Sequence, residues 1–149
     1  MARLAVLQKV QIGSTWSPAR LYLLISGVGL IVIGAAGLVY NQSFGVGADV
    51  HGDAVFGILQ TNGWHSVAGL LGGMTALAFA TRPEWARFGA LSLGITFVIV
   101  TIALVIWEPA SFRIASNAAD NVVHGLLGIG GIGSAVATRP GPGPLARMS

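Results

Sequence analysis

Between residues 21 and 40 the chain carries no charged side chain, and the same holds between residues 88 and 107. An uninterrupted apolar run of about 20 residues is what a helix needs to cross a bilayer, at about 1.5 Å of rise per residue. Two further runs of that length begin at polar residues: 61–81, carrying His65, and 117–138, carrying Asp120 and His124. The expected fold class is an all-α membrane protein, a bundle of four transmembrane helices. Only 9% of the 149 residues are charged and 54% are hydrophobic, against about 25% charged in a soluble domain. A water-soluble fold of this size could not hide so much apolar surface. The basic balance rests on eight Lys and Arg residues, and their positions follow membrane topology, so no nucleic-acid partner is expected. There is no cysteine, which excludes disulfides, thiolate metal sites and thiol redox chemistry.

Aromatic residues support these limits, because Trp and Tyr favour the headgroup level. Tyr22, Tyr40, Trp64, Trp85 and Trp107 all lie near span ends. Arg3, Lys9, Arg20, Arg82, Arg87, Arg139 and Arg147 fall on one side of the four spans, and only Arg113 on the other. The positive-inside rule makes the first side cytoplasmic, with both termini there. This predicts a cytoplasmic arm over 1–19, a transmembrane domain over 20–139, and a flexible tail over 140–149 that starts at Pro140-Gly-Pro-Gly-Pro144. The first run is too long for a signal-peptide core, so it is read as retained. Asp49, Asp53, Glu108, Asp120 and all three histidines fall on the outer side.

The chain also repeats itself. Ala19-Arg20 opens the first span and Ala86-Arg87 the third. Asn62-Gly-Trp-His65 stands near the start of the second, and Asn121-Val-Val-His124 near the start of the fourth. Ala80-Thr-Arg-Pro83 and Ala137-Thr-Arg-Pro140 close those two spans. Markers recurring in one order predict two tandem hairpins, a parallel pseudo-repeat with His65 and His124 at similar depth. Ala68, Gly72, Ala76 and Ala80, beside Gly69 and Gly73, form a small-residue stripe that predicts close helix packing. The same stripe suits a partner helix or a second copy. A leucine at Gly72 should therefore be costly, and one at the loop residue Gly45 should not.

Phe56-Gly-Ile-Leu-Gln-Thr-Asn-Gly-Trp-His65, its glycine-rich span and Ala119-Asp-Asn-Val-Val-His124 resemble a bacterial, mainly actinobacterial, family of four-helix membrane proteins. That family is described as a domain of unknown function with Asn-x-x-His repeats, and the resemblance runs from about Ala19 to Thr138. It implies multi-pass topology in a bacterial cytoplasmic membrane and no particular activity. The family pattern often has a second His three residues after the first. Here that position is Ala68.

Ionisable and polar groups inside a span are functional suspects. The candidate cluster, binding or structural, is Asn62, His65, Asn121, His124 and Asp120. In the structural reading Asn62 caps a helix, Asn117 and Asp120 form a capping box, and Asp120 pairs with His124 one turn on. In a redox reading His65 and His124 are axial ligands to haem. A weaker metal reading uses the outer loop, where Asp49, His51 and Asp53 would lie on one side of an extended strand. No hydrolase, zincin, Walker or dinucleotide-binding motif is present, and no enzymatic activity or catalytic residue is expected. The expected role is a non-enzymatic accessory or scaffolding subunit, or a small-ligand sensor, acting through the outer end of the bundle. No resident cofactor is expected in that role. The alternative is a haem- or metal-binding redox membrane protein using His65 and His124. Expected partners are membrane lipids and a membrane protein or a second copy.

Overall fold

A computed structural model describes residues 16–107 and 109–139. The tail, most of the N-terminal arm and Glu108 lie outside the described residues. Four α-helices occur among them: α1 (Pro18–Tyr40), α2 (Gly63–Ala80), α3 (Pro83–Ile106) and α4 (Ala118–Ala137). α1 and α3 are long and apolar enough to cross a membrane. Both leave large apolar side chains uncovered, Ile25, Val32 and Val39 on α1 and Ile99, Ile102 and Val105 on α3. Faces of that kind on successive turns suit lipid and are rare on soluble monomers.

Local chemistry sets the helix ends. α1 starts where the Ser17 side chain accepts from the Arg20 amide and Pro18 takes the first turn, so the helix begins inside the stretch read as arm. α2 stops because Pro83 bars the residue before it from helical backbone, and Arg82 is extended. Asn62 caps α2 by accepting from the His65 amide. Asn117 and Asp120 form the expected capping box on α4.

α1 packs mainly on α2, and α3 mainly on α4, as two antiparallel hairpins. Like contacts close both. Arg20 Nε donates to the Ala80 carbonyl at 2.9 Å, and Arg87 Nε donates to the Ala135 carbonyl at 3.1 Å. The hairpins meet at this basic end around Ala19, Leu23, Ala76, Ala80, Ala86, Ala90 and Ala135, all buried. There the Ala19 amide donates to Thr138 Oγ1, and further along Tyr22 Oη donates to the Leu127 carbonyl. Side chains this small bring four backbones together.

The glycine stripe divides in two. A Cβ on Gly73 would stand 2.7 Å from the Gly27 carbonyl oxygen, and one on Gly94 would stand 2.9 Å from that of Gly128. A Cβ on Gly72 meets nothing nearer than a Leu30 methyl at 3.8 Å. Gly72 is therefore no close-packing position, contrary to expectation. Gly45 is not permissive either, because its Cβ would run into the Asp49 backbone.

The long α1–α2 connection is not plain loop. Gly47–Asp49 forms a 3-10 turn, and Asp53–Val55 (β1) pairs antiparallel with Leu59–Thr61 (β2), in register Asp53 with Thr61. The turn between the strands holds Phe56 and Gly57 at φ of 53° and 73°, the sense that matches strand twist in a tight hairpin. Val55 is fully buried, which pins this hairpin against the helices. A second 3-10 turn, Pro109–Phe112, lies in the α3–α4 connection.

Candidate functional site

The N-termini of α2 and α4 lie at the end opposite the arginine contacts, and their capping residues reach across to the connection of each other's hairpin. Asn62 is fully buried. Its Oδ1 caps α2, and its Nδ2 donates to the Arg113 carbonyl at 2.9 Å. Asn117 does the converse: Oδ1 caps α4, and Nδ2 donates to the Ile58 carbonyl at 2.8 Å. The third residue after each cap repeats the exchange. His65 Nδ1 lies 2.8 Å from the Ala115 carbonyl and 3.0 Å from the Gln60 carbonyl. Asp120 Oδ2 accepts from the Gln60 amide at 3.1 Å and the Asn117 amide at 2.8 Å. A carbonyl only accepts, so Nδ1 of His65 carries the proton, shared between two acceptors. Four side chains thus tie each helix start to the connection of the other hairpin.

By position along the helix, His65 corresponds to Asp120, each third after its cap, and Asn62 corresponds to Asn117. Asn121, expected to stand where Asn62 does, is a helix-interior residue whose buried Oδ1 lacks a protein partner. His124 lies a further turn into α4, about 6 Å deeper along its helix than Asp120 at 1.5 Å per residue. Similar depth in the bundle is expected for the two histidines, and their rings do meet, at 5.7 Å between centroids and a tilt of 58°. Counted from the helix starts they are not equivalent; α4 begins two residues earlier relative to its closing Ala-Thr-Arg-Pro than α2 does, which offsets part of that difference. The expected Asp120–His124 pair is replaced: the carboxylate is taken by two backbone amides, and the histidine that interacts with it electrostatically is His65.

His124 has none of the bonding that holds His65. It is 9% exposed, its Nδ1 is buried without a hydrogen-bond partner, and its ring stacks on Phe97 of α3 at 5.4 Å. Both histidines line a cavity of about 210 Å³ between the two hairpins, just beneath the cross-tied loops. Leu30, Ile33, Leu93, Phe97, Val100 and Leu127 supply apolar wall, while His65, Asp120 and His124 lie toward the loop end. Ala68, Gly69 and Gly72 border it as well. These small residues make the space rather than close it. Phe97 and Gln60 escaped the sequence reading. A phenylalanine within an apolar span and a glutamine before one carry no local signal, and only packing brings them to the histidines.

The loop triad does not assemble. Asp49 ends the 3-10 turn, and Asp53 enters β1 with its carboxylate accepting from Asn41 Nδ2 at 3.0 Å. The extended run that would have aligned Asp49, His51 and Asp53 is not formed. Among the described residues no group of three His, Cys, Asp or Glu side chains is placed to hold a metal ion.

No curated protein and no solved structure matches the chain. Residues 18–137 match a family described as a domain of unknown function, DUF4383. That stretch runs from the first residue of α1 to the last of α4 and holds every residue of the crossed caps. The protein belongs to the DUF4383 family.

Proposed function

We propose that this is a small integral membrane protein of a bacterial cytoplasmic membrane, a four-span bundle of two duplicated hairpins with both termini cytoplasmic. It acts without catalysis as an accessory subunit that senses a small ligand through the outer end of the bundle. One observation carries the ligand reading: a cavity of about 210 Å³ beneath the crossed caps, lined by His65, Asp120 and His124 together with apolar side chains. Four observations support the membrane reading: two membrane-length apolar helices, uncovered apolar faces, arginines clustered at one end, and polar caps at the other. Scaffolding of a membrane-protein partner or of a second copy remains part of the proposal, through the apolar outer faces of α1 and α3.

The test is thermal unfolding in detergent against a set of small membrane-permeant compounds, wild type beside Gly72→Leu. A leucine there projects into the cavity, so binding should be lost while the fold stays. At least one compound should raise the wild-type Tm, because a ligand bound only by the folded state stabilises it by mass action. The same compound should leave Gly72→Leu unmoved. A set that shifts neither protein, or both equally, overturns the ligand reading.

The residues do not fit haem. The two imidazoles are in ring contact, with no gap for a macrocycle between them. The cavity is also smaller than the roughly 300–1,000 Å³ typical of sites for drug-sized ligands.

A further inference from the structure

A second concavity lies at the basic end of the bundle, by the α2–α3 turn, and plays no part in the crossed caps. It is an open groove of about 490 Å³ lined by Thr75, Ala78, Phe79, Thr81, Arg82 and Trp85. We propose that it seats one anionic phospholipid of the cytoplasmic leaflet, with the lipid phosphate on Arg82 and the upper part of an acyl chain along Ala78 and Phe79. This rests on the four-span membrane reading above and goes beyond it by naming a lipid class and its site.

The groove combines one cation with apolar wall. Arg82 is exposed, and among the described residues its side chain has neither a hydrogen bond nor an ion pair. Thr75 and Thr81 turn their hydroxyls back on their own helix, donating to the Leu71 and Ala78 carbonyls at 2.8 and 2.7 Å. Arg82 is thus the charged group left to orient an occupant, and a guanidinium fork matches phosphate oxygens. No acidic side chain lines the groove. The described charges of this end are Arg20, Arg82, Arg87 and Arg139 against Glu84 alone, a balance that favours an anion.

The apolar part suits a lipid rather than a free phosphate. Trp85 and Phe79 each pack edge-on against Phe88, at 6.0 and 5.8 Å between centroids, which braces the two rings that wall the groove. Tryptophan favours the headgroup level, with its ring body on the apolar side. Toward the middle of the span Met74 and Leu71 are uncovered in turn on α2, continuing the apolar track from Ala78. The Ala80-Thr-Arg-Pro83 string recurs as Ala137-Thr-Arg-Pro140, but there the chain covers its own threonine. Thr138 is buried and accepts from the Ala19 amide at 2.9 Å, so the start of α1 takes that place. Thr81 is exposed, and among the described residues no segment covers it.

The experiment places full-length protein in mixed micelles holding equal amounts of phosphatidylglycerol and phosphatidylcholine, and counts retained lipids by native mass spectrometry. Wild type should retain one phosphatidylglycerol per chain, with a preference of about fivefold or more over phosphatidylcholine. Arg82→Gln should lose about fivefold of that preference, the weight of one basic side chain at an anionic surface. Arg82→Lys should keep it, and Arg113→Gln, at the opposite end, should behave as wild type. Equal retention of the two lipids, or a preference that Arg82→Gln keeps or Arg113→Gln loses, overturns the site. So does displacement of the lipid by inorganic phosphate, or a second copy of the chain bound in its place. Flotation with alkali-washed vesicles of phosphatidylcholine alone tests the reading beneath. Failure to float overturns the four spans, whereas flotation without the lipid preference overturns the groove alone.

Discussion

Asn62 and Asn117 each do two things with one amide: the oxygen closes a helix N-terminus and the nitrogen holds the other hairpin. Capping alone is worth about 0.5–2 kcal/mol, and a buried carbonyl left without its donor adds about 1–3 kcal/mol. Asn62→Ala should therefore cost about 2–4 kcal/mol in chemical unfolding, more than loss of an ordinary cap. A cost below about 0.5 kcal/mol would mean the tie to Arg113 contributes nothing. The histidines should separate in the same assay. His65→Phe removes a donor to two carbonyls and should destabilise, whereas His124→Phe removes a buried unpartnered atom and should be neutral or stabilising. Equal losses at both would contradict the different bonding of the two rings. Spacing was enough to single out His65, His124, Asp120 and both capping asparagines. It aligned His65 with His124, whereas by distance from the cap His65 stands with Asp120, because an Asn-x-x-His string reads the same whether or not its Asn is the cap.

A small residue in a helix can mean contact or vacancy, and neighbouring positions on α2 show both. Gly73 lies against the backbone of α1, while Gly72 opens on the cavity. Gly73→Leu should force α1 and α2 apart at a cost of about 1–3 kcal/mol or more. Gly72→Leu should cost far less, and Gly133→Leu, with nothing near its Cβ, close to nothing. Tm values measured together in one detergent would show that order, and a Gly72 variant as unstable as the Gly73 one would refute it. The sequence shows a four-residue period of small side chains but not which side of the helix faces a partner. One position of offset is about 100° of rotation, enough to turn a packing glycine into a cavity wall.

Across the whole molecule, the basic contacts and the crossed caps occupy opposite ends, which gives the proposed topology its test. A Cys placed at Ala48 or Ser111 should react with a membrane-impermeant reagent applied to intact cells, and one at Glu84 should not. Labelling at Glu84 would reverse the orientation, and equal labelling at all three would remove the spans.

Helix number, approximate limits and the polar cluster were legible in the amino-acid order, since apolar run length, proline stops and capping residues act within a few positions of where they stand. The extra 3-10 turns and the short β-hairpin were not. Their pairing depends on Val55 finding a buried place among helices that the loop cannot sense locally. Only the tertiary structure decided which polar groups meet: that His65 and Asp120 are satisfied across the hairpins, that His124 is left without a partner, and that the space beside it stays open. Each outcome depends on how the two hairpins pack, held by alanines at one end and by the crossed caps at the other, with the cavity between them. That arrangement comes from packing side chains far apart in sequence, and no local pattern encodes it.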